Sequence, residues 1–207
     1  MRAAARTLFV SLTICLCACA TAPREGPAAS AGAPNAASTP AEPMTPGSTS
    51  QDSVKTSSIK AGATARVYYV IQSGYDSHAV QLPTQAQLLR EFAGGVKAFL
   101  DDLAAAKLAE RVVLLAFSEF GRRPEENGSL GTDHGTAGPL FLAGPSVKPG
   151  LFGKTPLLGD LEDGNLKWST DFRSVYATLL SNWLNVPANE ILGQSVAMLP
   201  LLRTGTQ

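Results

Sequence analysis

The sequence predicts an α/β domain over residues 64–207, built as a parallel sheet with flanking helices. Residues 66–71 are β-branched and aromatic, which is typical of a strand. Residues 111–117 form a continuous apolar run, which is typical of a parallel strand buried on both faces. Apolar residues recur at helical spacing between the two runs. This order predicts a right-handed crossover between parallel strands.

Local patterns predict where the other elements begin and end. Thr84 and Gln87 have the spacing of a capping box at the start of the first helix. Thr170 is predicted to cap a second helix, which ends before Pro187. The remaining segments are predicted to be a long glycine-rich loop, a short strand, and a turn with a further short strand: residues 118–138, 139–143 and 150–155.

The first 19 residues have the features of an export signal. Arg2 and Arg6 give a positive start, and residues 8–16 are apolar but too short to span a bilayer as a helix. An export signal of this kind predicts that the protein lies in the bacterial cell envelope.

Residues 16–19 read Leu-Cys-Ala-Cys, which resembles a bacterial lipobox with Cys19 as the lipidated residue. An ordinary signal cleaved after a small residue is the alternative. A lipobox predicts that the protein is attached to a membrane through a lipid anchor. By resemblance to known sorting signals, an aspartate at position 20 would indicate the inner membrane. Ala20 is not an aspartate, so we expect the outer membrane, facing the periplasm.

Composition sets further bounds on the chain. Residues 20–63 are rich in Ala, Pro, Ser and Thr, which predicts a disordered tether. The chain has 17 basic and 17 acidic residues, which excludes the basic footprint of a nucleic-acid binder. All three cysteines lie before the tether, so the domain relies on its packed core rather than on a disulfide.

Both histidines lie beside an aspartate, in segments that follow predicted strands. The carboxyl ends of parallel strands meet at one edge of a sheet, so these segments are expected to meet there. Histidine and carboxylate side chains are common ligands of Zn²⁺ and other first-row divalent ions. The candidate metal ligands are Asp76, His78, Glu119, Asp133 and His134.

Arg122 is the candidate substrate-binding residue, because a guanidinium suits a phosphate or sulfate oxygen. The alternative reading is structural: each aspartate caps its loop and each histidine is a hydrogen-bonded loop residue. Ser77, Ser118 and Thr132 carry hydroxyls nearby, but none lies in a Gly-x-Ser-x-Gly elbow. The sequence therefore assigns no nucleophile.

Four segments together resemble the domain of unknown function 1501 family. They read Tyr-Asp-Ser-His-x-x-Gln, Phe-Ser-Glu-Phe-Gly-Arg-x-Pro-x-x-Asn-Gly, Gly-x-Asp-His-Gly and Asp-Phe-Arg-Ser-Val-Tyr-Ala-Thr-Leu-Leu, at residues 75–81, 117–128, 131–135 and 171–180. The resemblance covers residues 68–202.

That family is similar to the alkaline phosphatase and sulfatase superfamily, a parallel α/β fold with a metal site at the strand ends. The resemblance implies a divalent cofactor (Zn, Mn, Mg or Ca). It implies that Asp76 and His78 form one metal-binding pair, that Glu119 is an acidic ligand and that His134 is a late histidine ligand. Phe120 stands where the superfamily often has a further histidine.

The resemblance also implies that a long N-terminal half is replaced here by the signal and the tether. In the superfamily that half supplies a metal aspartate and the nucleophile. We therefore expect a lipoprotein with a partial alkaline phosphatase-like domain and an incomplete metal site, which is not a complete hydrolase alone. The alternative is a non-catalytic, membrane-tethered binding module for another exported protein.

Overall fold

The computed structural model describes residues 57–203 and the backbone of residues 7–13. The predicted lipobox with Cys19, and most of the predicted tether, lie outside the described residues. No helix in the described part of the chain is both long enough and apolar enough to cross a membrane.

The described residues form both strands and helices. The strands are β1 Thr7–Thr13, β2 Val67–Ile71, β3 Val112–Ser118, β4 Gly121–Glu126, β5 Thr132–Gly135, β6 Phe141–Ala143, β7 Leu161–Glu162 and β8 Asn165–Leu166. The helices are α1 Gln81–Ala105, α2 Phe172–Thr178 and α3 Ala188–Leu192, with a 3₁₀ turn at Ala109–Arg111 and a π-helical turn at Leu179–Trp183. The α/β class is confirmed.

The main sheet is mixed rather than wholly parallel, with the strand order β2-β1-β3-β6. Strand β1 pairs in parallel with both β2 and β3, whereas β6 runs antiparallel to β3. The chain returns from β3 to β6 without a crossover helix, and such a return brings the next strand back in the opposite direction. Two antiparallel ribbons, β4–β5 and β7–β8, accompany the sheet.

Strand β1 lies inside the predicted export signal. Its Val10 pairs with Tyr69 of β2 on one side and with Leu115 of β3 on the other. Strands β2 and β3 are therefore neighbours of β1 and not of each other.

Both predicted strands at residues 66–71 and 111–117 are confirmed within one residue at either end. The predicted long loop at residues 118–138 is wrong in part, because it contains the ribbon of β4 and β5. Residues 150–155 form no strand; the second ribbon comes later, at β7 and β8.

Helix α1 begins at Gln81, so the predicted capping box at Thr84 is wrong. The backbone N–H groups of Val80 and Gln81 donate to the carbonyls of Ser129 and Leu130, each at 2.9 Å, which places the N-cap at Val80, before the predicted Thr84. Helix α2 is capped by Asp171 rather than by the predicted Thr170.

Strand β3 is buried on both faces, which accounts for its uninterrupted apolar sequence. Val112 and Leu114 pack against Phe99 and Leu103 of α1. The alternate residues of β3 pack on the opposite face, against α2 and the π-helical turn, and this second core contains Val113, Leu115, Val175, Leu179, Trp183, Leu184 and Leu201. Alternation of side chains along a strand puts one core on each face of the sheet.

Folded structure begins before residue 64, the predicted end of the tether. Residues 57–60 are helical, and the side chain of Ile59 is 3% exposed. Ile59 belongs to the α1-side core with Phe99 and Leu103. The last residues of the predicted tether therefore contribute to the domain.

Candidate metal centre

Two segments distant in sequence bring an aspartate and both histidines together. The Nε2 atoms of His134 and His78 lie 2.6 and 3.0 Å from Oδ1 of Asp76. One ligand atom from each residue lies within 4.8 Å of the others. We call Asp76, His78 and His134 the histidine cluster. Two imidazoles and one carboxylate in this arrangement could hold a metal ion.

The side chains of the cluster are open to solvent on one side. The exposed fractions of the His78, His134 and Asp76 side chains are 46%, 43% and 27%. A ligand from solvent therefore has access to all three. The imidazole rings lie 4.8 Å apart, at 38° to each other.

The loop that carries Asp76 and His78, between β2 and α1, is fixed by glutamine side chains of α1. Nε2 of Gln81 donates to the carbonyl of Ser77 at 2.9 Å, and Oε1 of Gln81 accepts from the Thr132 hydroxyl at 2.8 Å. Gln85 donates to the carbonyl of Tyr75 at 2.9 Å. Gln81 is only 9% exposed, and these bonds satisfy its buried amide. The loop is therefore held at several backbone atoms.

His134 lies on β5, opposite Arg122 of β4. The turn between these strands is organised by Asn127, whose Oδ1 accepts from the N–H groups of Ser129 and Gly131 at 2.9 and 3.1 Å. The Asn127 amide also donates to the carbonyl of His78 at 3.0 Å. Asn127 thus joins the two histidine-bearing segments.

Glycine is required at position 131 because two backbones meet there. A Cβ added to Gly131 would lie 2.3 Å from the carbonyl oxygen of His78. Gly128, in the same turn, has nothing within 4 Å of such an atom. The close approach at Gly131 is one reason that the His78 and His134 segments are neighbours.

Arg122 also connects the same two segments. Its guanidinium donates to the carbonyls of Tyr75 and Thr132, both at 2.6 Å. Burial lowers the pKa of Arg122, and the nearby carboxylates of Asp76 and Asp133 oppose that shift. Two of its donors are committed to backbone carbonyls, so Arg122 has a positioning role in addition to the predicted contact with substrate.

Asp133 and Phe120 flank the cluster. The Asp133 carboxylate lies 3.5 Å from Nδ1 of His78. Hydrogen bonds from Asn127 and then His78 lower the pKa of Asp133. Phe120 stacks on the His134 ring, with centroids 4.0 Å apart and planes within 10°. An aromatic ring therefore occupies the position where the family resemblance implied a further histidine.

Glu119 and Asp133 are the two predicted ligands that the structure does not bring into the histidine cluster. The cluster of potential ligand atoms contains Asp76, His78 and His134, whereas Glu119 lines a separate cavity between β3 and α2. The roles of Gln81 and Asn127 were missed by sequence reasoning, because both depend on contacts with segments far along the chain.

A family model described as a protein of unknown function (DUF1501) matches residues 52–192, which is more than half of the chain. The chain belongs to the DUF1501 family. The match includes every residue of the histidine cluster. The search of curated proteins gave no match, and neither did the search of solved structures.

Proposed function

We propose that this DUF1501 protein is an exported lipoprotein whose partial alkaline phosphatase/sulfatase-like domain binds a divalent metal but does not hydrolyse esters on its own. The observation that carries the proposal is the convergence of Asp76, His78 and His134, with ligand atoms within 4.8 Å of one another. The fold class and the position of these loops beyond β2 and β3 are compatible with the superfamily.

The donor set fits a first-row divalent ion. Ligand atoms in a tetrahedral zinc site are about 3.3 Å apart, given metal–ligand distances of about 2.0 Å. The contacts of 2.6 and 3.0 Å at Asp76 are shorter, so the side chains would have to separate by about 0.7 and 0.3 Å to reach that spacing. Imidazole ligands favour Zn²⁺ over Mn²⁺, Mg²⁺ and Ca²⁺, which oxygen ligands suit better. A bound ion would polarise a phosphoryl or sulfuryl oxygen.

The same surroundings lack an activated nucleophile. Within residues 57–203, neither imidazole is hydrogen-bonded to a serine or threonine hydroxyl. Ser77, the nearest candidate by sequence, receives a hydrogen bond from Gln85 at 3.2 Å. Nucleophilic catalysis needs a base or metal held against the nucleophile. The observed bonding therefore favours metal binding without turnover.

Calorimetric titration of the metal-free full chain with Zn²⁺ and with Mn²⁺ tests the metal proposal. We expect one site, lost in the His78→Ala, His134→Ala double variant and kept in Asp101→Ala, which changes an exposed helix carboxylate. Titrations that are identical in the double variant and the wild type would remove the histidine cluster from the proposal. Elemental analysis of the purified protein would identify the metal.

Hydrolysis of aryl phosphate and aryl sulfate by the metal-loaded full chain tests the second half of the proposal. We expect kcat far below about 1 per second, the lower end of typical enzymes. A kcat within the enzyme range that is abolished by His134→Ala would show a complete hydrolase instead.

Lipidation rests on the lipobox pattern that ends at Cys19. When cells are grown with a radioactive fatty acid, the wild-type protein should incorporate the label and Cys19→Ala should not. The labelled protein should be recovered in the outer membrane. Equal labelling of both would contradict the anchor.

Cleavage at this site would also remove Thr7–Thr13, which pairs with β2 and β3. In one molecule these residues can therefore serve either as part of the signal or as a strand of the sheet, but not as both.

A non-catalytic binding module for another exported protein is the second candidate. Strand β2 is an edge strand with an exposed apolar face, because Val67, Tyr69 and Ile71 are 51%, 45% and 43% exposed. Exposed apolar residues on an edge strand favour association. A Val67→Lys, Ile71→Lys variant that loses a cross-linked envelope partner, while keeping its metal, would favour this function.

A further inference from the structure

A cavity of about 500 Å³ opens between the end of β3 and the start of α2. Its volume lies in the range of small-molecule sites, which is about 300–1,000 Å³. The cavity is distinct from the histidine cluster, since none of Asp76, His78 and His134 lines it.

Four aromatic rings border the cavity: Phe117, Trp168, Phe172 and Tyr176. We call it the aromatic cavity. Tyr176 packs edge to face against Phe117 and Phe172, with centroids 5.9 and 5.4 Å apart. Trp168 and Phe172 are nevertheless 64% and 53% exposed. Large aromatic surface left open to water around a concave site is typical of a binding site.

The charges around the aromatic cavity leave one carboxylate without an ionic partner. Nε of Arg173 donates to both carboxylate oxygens of Asp171, at 2.9 and 3.0 Å, so these two side chains neutralise each other. Within residues 57–203, no cationic side chain forms an ion pair with Glu119, which is exposed. The lining of the aromatic cavity is therefore apolar and negative.

We propose that the aromatic cavity binds an organic cation of the methylated-ammonium type, with Glu119 as its counter-ion. The faces of aromatic rings attract a cation, most strongly when the cation sheds part of its water. An anion would meet the Glu119 carboxylate without a free guanidinium to offset the repulsion. A neutral apolar ligand would leave the Glu119 carboxylate without a counter-ion. The proposal is independent of metal binding, because Glu119 lies outside the histidine cluster.

Titration of the metal-free full chain with choline chloride, at constant ionic strength, tests the proposal by tryptophan fluorescence. Trp183 is 1% exposed, so a change in emission reports on Trp168. We expect a saturable change with a Kd on the order of 1 mM, about −4 kcal/mol. The neutral isostere 3,3-dimethylbutan-1-ol should bind at least about tenfold more weakly. Equal binding of the two probes, or no saturable change, would overturn the proposal.

Variants assign the contributions of individual side chains. Glu119→Gln should weaken choline binding about tenfold, the effect of losing one partly screened charge interaction. Phe172→Ala should weaken it as well, whereas Glu190→Gln, an exposed carboxylate on α3, should match the wild type. Wild-type affinity in Glu119→Gln would exclude the counter-ion role. Thermal unfolding checks the fold of each variant, and the comparison of the two probes on the wild type decides the proposal without any variant.

Discussion

The histidine cluster and the aromatic cavity are built in different ways. The cluster is held by hydrogen bonds between loops that are distant in sequence, through Asn127 and Arg122. The cavity is bordered by rings that continue the α2-side core, and by one helix cap. The polar site therefore depends on backbone positions, whereas the apolar site depends on packing.

The largest expected effect comes from the core that supports both sites. Trp183→Ala removes a side chain that is 1% exposed and should cost about 3–5 kcal/mol of unfolding free energy. Urea denaturation would measure this loss, and both metal and choline binding should fail. Trp168→Ala is the matched control: Trp168 is 64% exposed, so its loss should impair choline binding alone, measured by calorimetry because this variant lacks the fluorescent reporter. Equal destabilisation by the two substitutions would contradict the packing described for α2.

Gly131→Ala should separate the two sites. The added Cβ would lie 2.3 Å from the His78 carbonyl, so the loop with His78 must move. We expect zinc affinity to fall about a hundredfold, at the upper end of the effect of disturbed ligand positioning, with choline affinity unchanged. Gly128→Ala, where the new atom has open space, should keep both affinities. Identical zinc isotherms for the two variants would show that the backbone contact does not position the cluster.

Arg122→Lys tests the hydrogen bonds that join the loop after β2 to strand β5. A lysine ammonium lacks the planar fork that reaches the carbonyls of Tyr75 and Thr132 together. Zinc affinity should fall about tenfold, less than in Gly131→Ala, because the loops keep their other bonds. Arg123→Lys changes an exposed neighbour and should have no effect. An unchanged zinc affinity in Arg122→Lys would show that Arg122 does not position the histidine cluster. Only its predicted contact with substrate would then remain.

The parts of the fold and site that were predictable are those set by local pattern. The apolar run of β3 identified a strand buried on both faces, because only such a strand has no polar side to expose. Asp76 and His78 follow the end of β2, and strand order predicted that they would meet His134, although Asp133 and His134 lie within β5 rather than in the predicted loop. Both inferences use only neighbouring residues and strand direction.

The rest depends on contacts that sequence does not encode locally. Helix α1 begins at Gln81 because the turn at Ser129 and Leu130 accepts its first N–H groups, and no residue near Thr84 signals this. Glu119 follows β3 as predicted, but its side chain lines the aromatic cavity rather than the histidine cluster. The direction of a side chain beyond a strand end depends on the following turn, here the start of β4.

The smallest expected effect concerns the cap of α2, on the cavity side. Asp171 accepts a hydrogen bond from the N–H of Arg173 at 2.9 Å and pairs with the guanidinium of the same residue. Asp171→Ala removes the cap and the charge, whereas Asp171→Asn keeps a capping oxygen. At neutral pH we expect melting temperatures in the order wild type, Asn variant, Ala variant. Metal affinity should not change.

The pH dependence of that order identifies the role of the charge. The hydrogen bonds from the side chain and then the backbone of Arg173 lower the pKa of Asp171 below its ordinary value. A carboxylate with a lowered pKa stabilises the folded state above its ordinary pKa of about 4 and loses that contribution as the pH falls through the folded-state pKa. The difference between the wild type and Asp171→Asn should therefore shrink in acid, while the difference between the Asn and Ala variants persists. A gap between wild type and Asn variant that stays constant down to about pH 2.5 would assign the stabilisation to cap geometry alone, without the ion pair.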